Sequence, residues 1–176
     1  TIQQALDMAV GHHDSGRLSD AESIYQQILQ VEPNQPIALH LLGVIAHQLG
    51  NNDLAVELIT KALDIKPDFA DAHYNLGTAL QGLGKKDGAV SHYRKAIDFK
   101  PNYPKAHYNL GVMLQEIGKK DEAISHYRKA IDFKPDFAEA YSNLGSVLQI
   151  QGDTYQAIDL YRKATDINPG YSNAHH

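Results

Sequence analysis

The chain has 176 residues, 43% hydrophobic and 21% charged, with no Cys and no Trp, a size that suits one medium domain or a short array of small units. The absence of cysteine excludes disulfide scaffolds, cysteine-ligated zinc and thiol catalysis, and it fits a reducing, cytoplasmic setting. Lys plus Arg 16 against Asp plus Glu 21 leaves a formal charge of −5, the wrong balance for a general nucleic-acid binder, and no apolar run approaches the ~18 residues of a membrane span, so neither nucleic acid nor membrane is expected as a partner.

Self-similarity sets the order of the elements. AHYNLG occurs at Ala72 to Gly77 and again at Ala106 to Gly111, and Pro33, Pro67, Pro101, Pro135 and Pro169 share one spacing of 34 residues with Gly16, Gly50, Gly84, Gly118 and Gly152. The repeats run over 2–35, which is divergent, then 36–69, 70–103, 104–137 and 138–171, and 172–176 opens a sixth. Thr1, with neither an initiator Met nor a signal segment, reads as the start of an excised piece.

Each repeat predicts two helices. In the third, His73, Leu76, Gly77 and Leu80 form one helical stripe and Ala89, Tyr93 and Ala96 a second. Gly84 suits the left-handed residue that closes the first helix, and Lys85-Lys86 beside it is expected to favour that helix's C-terminal dipole. Asp87, like Asp53 and Asp121, falls in the first turn of the next helix, and Pro101 stops it. Gly77 and Ala89 carry almost no side chain, so the two helices can approach there while Tyr93 fills the space beside them.

This pattern resembles the tetratricopeptide repeat. Its signature falls on His73, Leu76, Gly77, Leu80, Ala89, Tyr93, Ala96 and Pro101, and on the same positions of the fourth and fifth repeats. Repeat two keeps Leu42-Gly43 but has Ile59 where the others have Tyr; repeat one has Met8-Ala9 in place of Leu-Gly. The resemblance implies an all-α, right-handed superhelical solenoid of five helix-turn-helix repeats, with ligands held along the concave face that the first helices line.

That face holds the candidate site: Tyr74, Asn75, Thr78 and Gln81 in repeat three, Tyr108, Asn109, Val112 and Gln115 in repeat four, Ser142, Asn143, Ser146 and Gln149 in repeat five, and His40 and His47 in repeat two. A carboxamide offers one acceptor and two donors, so a column of Asn and Gln can pair with successive peptide groups of an extended chain whatever its side chains. The Asn column has a second reading, as a brace to the neighbouring repeat. It is also similar to the superhelix of O-linked N-acetylglucosamine transferases, which implies that the repeats hold protein substrates for a transferase domain elsewhere. The 176 residues themselves are read as non-catalytic: no nucleophile elbow, phosphate loop or metal-binding helix motif occurs.

Other uses fare worse. A clamp for acidic chaperone tails needs Lys or Arg on the groove, and Leu6, His40, Tyr74, Tyr108 and Ser142, with Val10, Val44, Thr78, Val112 and Ser146, supply none. The ten histidines lack carboxylates at helical spacing, so no metal and no cofactor is expected, and His73 and His107 are read as half-buried packing residues. The pairs Lys85-Lys86 and Lys119-Lys120, with Arg94-Lys95 and Arg128-Lys129, are balanced by Asp87, Asp98, Asp121 and Asp132 and read as a solvated face. The expected partner is a protein or peptide. Weak self-association is also expected, through an uncapped last repeat that exposes Leu148 and Ile158.

Overall fold

The computed structural model describes residues 1–170; the expected opening of a sixth repeat at 172–176 lies outside them. Ten helices fill that span: α1 Ile2–Asp14, α2 Leu18–Val31, α3 Pro36–Gln48, α4 Asn52–Ile65, α5 Ala70–Gly82, α6 Lys86–Phe99, α7 Pro104–Glu116, α8 Lys120–Phe133, α9 Ala138–Ile150 and α10 Thr154–Ile167. Odd helices have 13 residues and even ones 14. The fold is an all-α helical repeat, and no described helix is long and apolar enough to cross a membrane.

The chain forms two compact units, Thr1–Phe99 and Lys100 onward. In the first, α1 packs on α2, α3 on α4 and α5 on α6, and each second helix packs on the first helix of the next pair. In the second, α7 with α8 and α9 with α10 repeat the arrangement, joined through α8 and α9.

The turn inside each pair depends on glycine. Gly84 has φ of 71° and Gly118 of 82°, a left-handed conformation that costs a side-chain-bearing residue about 1 kcal/mol or more. There the Gly84 N–H donates to the Gln81 carbonyl and the Lys85 N–H to Leu80, the paired bonds that satisfy the end of α5. Lys86 and Lys120 are the first residues of α6 and α8, so these lysines sit at helix N-termini and not, as the sequence suggested, at the C-termini before them. Their unfavourable charge is offset by Asp87 and Asp121 in the same first turns.

Packing within a pair is closest at the Leu-Gly glycine. A methyl at Gly77 would lie 2.8 Å from the Tyr93 ring, and one at Gly111 2.7 Å from Tyr127. Ala89 and Ala123 are fully buried, so two small residues let the backbones close and the tyrosine rings fill what remains. Between pairs, Phe69 and Phe137 wedge the loops, with Lys66 and Lys134 ammonium groups 5.0 and 4.9 Å from their ring centres. Ile158 on α10 is 42% exposed as expected, but Leu148 is buried at 6%, because it packs inward within the α9–α10 pair.

Candidate functional site

Tyr74, Asn75, Thr78 and Gln81 step along one face of α5, and all four are half-buried. Tyr108, Asn109, Val112 and Gln115 do the same on α7, while on α9 Ser142 is buried and Gln149 exposed. The two tyrosines are wedged, not free-standing. Tyr74 lies 5.8 Å from the Tyr93 ring, and Tyr108 lies 6.0 Å from Tyr127 and 4.9 Å from Phe137.

The carboxamides carry bracing bonds. Asn75 Nδ2 donates to His40 Nε2 at 2.8 Å, and Asn143 Nδ2 donates to the Tyr108 hydroxyl at 3.1 Å, each reaching 35 residues back to the preceding first helix. Gln81, Gln115 and Gln149 accept through Oε1 from the hydroxyls of Tyr93, Tyr127 and Tyr161, at 2.7, 2.8 and 2.9 Å. Burial pushes the Tyr127 and Tyr161 phenols upward, so both remain donors at neutral pH. Each bond uses one half of a carboxamide. Oδ1 of Asn75 and Asn143, and Nε2 of the three glutamines, make no hydrogen bond with another described residue.

The hydroxyls of the face are engaged too: Thr78 Oγ1 donates to its own helix at the Tyr74 carbonyl, 3.0 Å away, and Ser146 bonds the Tyr161 oxygen. His40 is 4% exposed, set edge-on against Phe69, and burial pushes its pKa down to about 4. It is therefore neutral at pH 7, as the bond from Asn75 to Nε2 requires. His47 occupies the glutamine position of repeat two, but Ile59 there offers no hydroxyl, and its Nδ1 instead meets Asn52 Oδ1 at 2.6 Å.

Sequence reasoning passed over a second constellation. His73 and His107 are buried, at 5% and 2%, not half-buried. His73 Nδ1 lies 3.0 Å from His92 Nδ1 and its Nε2 2.9 Å from the Pro67 carbonyl; His107 repeats this with His126 at 2.9 Å and Pro101 at 3.0 Å. The signal was the 19-residue separation of the two histidines in both repeats. Among the described residues no group of three or more His, Cys, Asp or Glu is placed to hold a metal ion.

Models of the tetratricopeptide repeat match 45–84, 82–118, 113–152 and 138–171. The chain belongs to the tetratricopeptide repeat family. Among solved structures it is similar to MamA, at 28% identity and a TM-score of 0.82 over 92% of this chain and 95% of that one. YrrB, described as a tetratricopeptide repeat protein with an unusual peptide-binding site, superposes at 0.76 with 24% identity over 94% and 85% of the two chains. PilF of Pseudomonas aeruginosa superposes at 0.87 with 18% identity over 95% and 76%. The last two likenesses concern the fold alone. No curated protein matches the chain in sequence.

Within this tetratricopeptide frame, pockets recur in register on the side of the second helices. One of about 530 Å³ lies between α2 and α4, one of about 440 Å³ between α4 and α6, and one of about 220 Å³ between α8 and α10. Each is floored by the first helix between its walls, through Leu42, Leu76 and Leu144 respectively.

Proposed function

We propose that the chain is a protein-interaction module that holds an extended peptide or protein segment along the face of its first helices. The observation that supports this is the half of each carboxamide left over from bracing: an acceptor on Asn75 and Asn143, and donors on Gln81, Gln115 and Gln149. An extended backbone presents alternating N–H and C=O groups, which such acceptors and donors on α5 in the first unit, and on α7 and α9 in the second, can pair with. Membership of the tetratricopeptide repeat family points the same way. The likeness of the Asn column to O-linked N-acetylglucosamine transferases would make the bound segment a transferase substrate.

The bracing role decides which substitutions test this reading. Asn to Ala removes a brace along with a ligand contact. Gln81→Glu, Gln115→Glu and Gln149→Glu keep the oxygen that accepts from tyrosine and replace the outward donor. On an array of unstructured peptides the triple variant should lose at least about tenfold in affinity with its thermal midpoint little changed. Equal binding by the variant and the parent chain would remove the groove as the site.

End-to-end assembly is a second reading, favoured by Tyr155, 88% exposed, and Ile158 on the outer side of α10. Concentration-dependent sedimentation that Tyr155→Glu abolishes would support it, and a monomer at all concentrations would exclude it.

A further inference from the structure

The pocket between α4 and α6 has a histidine at a wall position where its two counterparts have leucine. Leu58 and Leu160 line the others where His92 lines this one. A relay fixes the tautomer of His92. The Pro67 carbonyl can only accept, so His73 Nε2 carries the proton and His73 Nδ1 is a lone pair. His92 Nδ1, 3.0 Å away, must then donate to it. A neutral imidazole protonated at Nδ1 has its remaining lone pair on Nε2, and that atom makes no hydrogen bond with a described residue.

The surroundings of this acceptor are apolar below and acidic above. Leu63 and Leu76, 8% and 3% exposed, make the floor, and Phe99, 50% exposed, makes a wall whose ring lies 15° from parallel to His73. Asp64 near the end of α4 and Asp98 near the end of α6 line the rim, and neither forms an ion pair with another described residue. Lys95 also lines the pocket, so two carboxylates face one ammonium and the site keeps one negative charge in excess.

We propose that this pocket receives an arginine side chain of a partner polypeptide, with its methylenes along Leu63, Leu76 and Phe99 and its guanidinium between Asp64, Asp98 and His92 Nε2. Arginine fits better than lysine for three reasons. Its flat head stacks on an aromatic wall, its fork of five donors can satisfy carboxylate and imidazole acceptors together, and it sheds water more readily than an ammonium. The site lies on the second-helix side and shares no residue with the carboxamide columns, so it stands or falls independently of the groove.

The test uses the full chain with ¹⁵N-labelled histidine, followed by long-range ¹H–¹⁵N spectra at neutral pH. The probes are N-acetyl-arginine amide and its uncharged counterpart N-acetyl-citrulline amide. Before ligand, His92 should show the Nδ1–H tautomer. Arginine amide should then shift the His92 Nε2 resonance saturably, with a millimolar dissociation constant. Citrulline amide should bind at least about tenfold more weakly, as should arginine amide to the Asp64→Asn, Asp98→Asn variant, whose exposed substitutions leave helicity unchanged. The proposal is overturned if His92 carries its proton on Nε2, if no saturable shift appears over the millimolar range, or if citrulline amide or the Asn variant binds as well as the parent pair.

Discussion

His73 Nδ1 and His92 Nδ1 face each other at 3.0 Å with a single proton between them, an arrangement that a second proton would break. Burial lowers the pKa of His73, His92 and His107, with Lys95 acting in the same direction on the first two and Lys129 on the third, and it holds His92 and His40 at about 4. In the unfolded chain these side chains titrate near ~6.5. Between those values the unfolded state binds more protons, so the stability contributed by neutral histidine is fully present above ~6.5 and is lost as pH falls toward 4. A loss on the order of 2 kcal/mol is expected, after discounting the half-exposed His92 for solvent screening. Urea midpoints at pH 7.5 and 4.5 measure it. His73→Tyr with His92→Leu, which copies the Tyr141 and Leu160 of the last pair, should reduce the slope, and an unchanged slope would show that the pair does not carry it.

One substitution should act in opposite directions at three glycines. Gly111→Ala drives a methyl to within 2.7 Å of the Tyr127 ring and should cost ~1–3 kcal/mol, with Gly111→Leu worse. Gly118→Ala meets no atom within 4 Å but must hold φ at 82°, and should cost ~1–2 kcal/mol through backbone strain alone. Gly11→Ala, inside α1 with nothing within 4 Å, should stabilise by ~0.5–1 kcal/mol. Chemical denaturation of the three variants ranks them, and an unaltered midpoint for Gly111→Leu would mean that α7 and α8 do not meet there.

Tyr25 and Tyr127 hold the same register position but differ in their hydrogen bonding. Tyr127 donates to Gln115 at 2.8 Å, whereas the Tyr25 hydroxyl is buried without a partner and its pKa is pushed up to about 12 by burial and by Asp14. Tyr127→Phe should therefore cost ~1 kcal/mol, and Tyr25→Phe should be neutral or stabilising. Equal losses from the two substitutions would contradict the difference in bonding.

The helix pairs were legible in the sequence because their signals are local: Gly84 and Pro101 punctuate, and His73 to Leu80 keep one stripe. The assignment of Lys85-Lys86 to the end of α5 failed because the left-handed glycine lets α6 start within two residues, so the lysines belong to the later helix. Asn75, Gln81 and their counterparts could be placed on a common face from spacing. Which half of each carboxamide is used could not, since Tyr93 lies 12 residues beyond Gln81 and His40 lies 35 before Asn75. His47 shows the same limit: its partner follows from Ile59 lacking a hydroxyl, a fact about a different helix.

Peptide binding at the columns should be nearly independent of ionic strength, because the groups named there are carboxamides and rings, not charges. Occupancy of the furrow beside Asp64 and Asp98 should instead weaken as salt is added. Affinities measured at low and high salt, with Gln115→Glu and Asp98→Asn as separate reporters, distinguish the two faces. A steep salt dependence that survives Asp98→Asn would place charge recognition elsewhere on the molecule.

Among the described residues, the side-chain hydrogen bonds from His13 to Gln48, His40 to Asn75 and Tyr108 to Asn143 all join residues 35 apart. No long loop has to close before such contacts form, so the entropic toll on each step stays small and the ordering of one helical hairpin prepares only its neighbours. Folding can then begin in any hairpin and spread outward, and the chain can lose a frayed hairpin while the rest persists. Refolding kinetics in such a chain report where a nucleus starts and how far it travels, which makes the glycine turns, one per hairpin, the natural places to slow the spread.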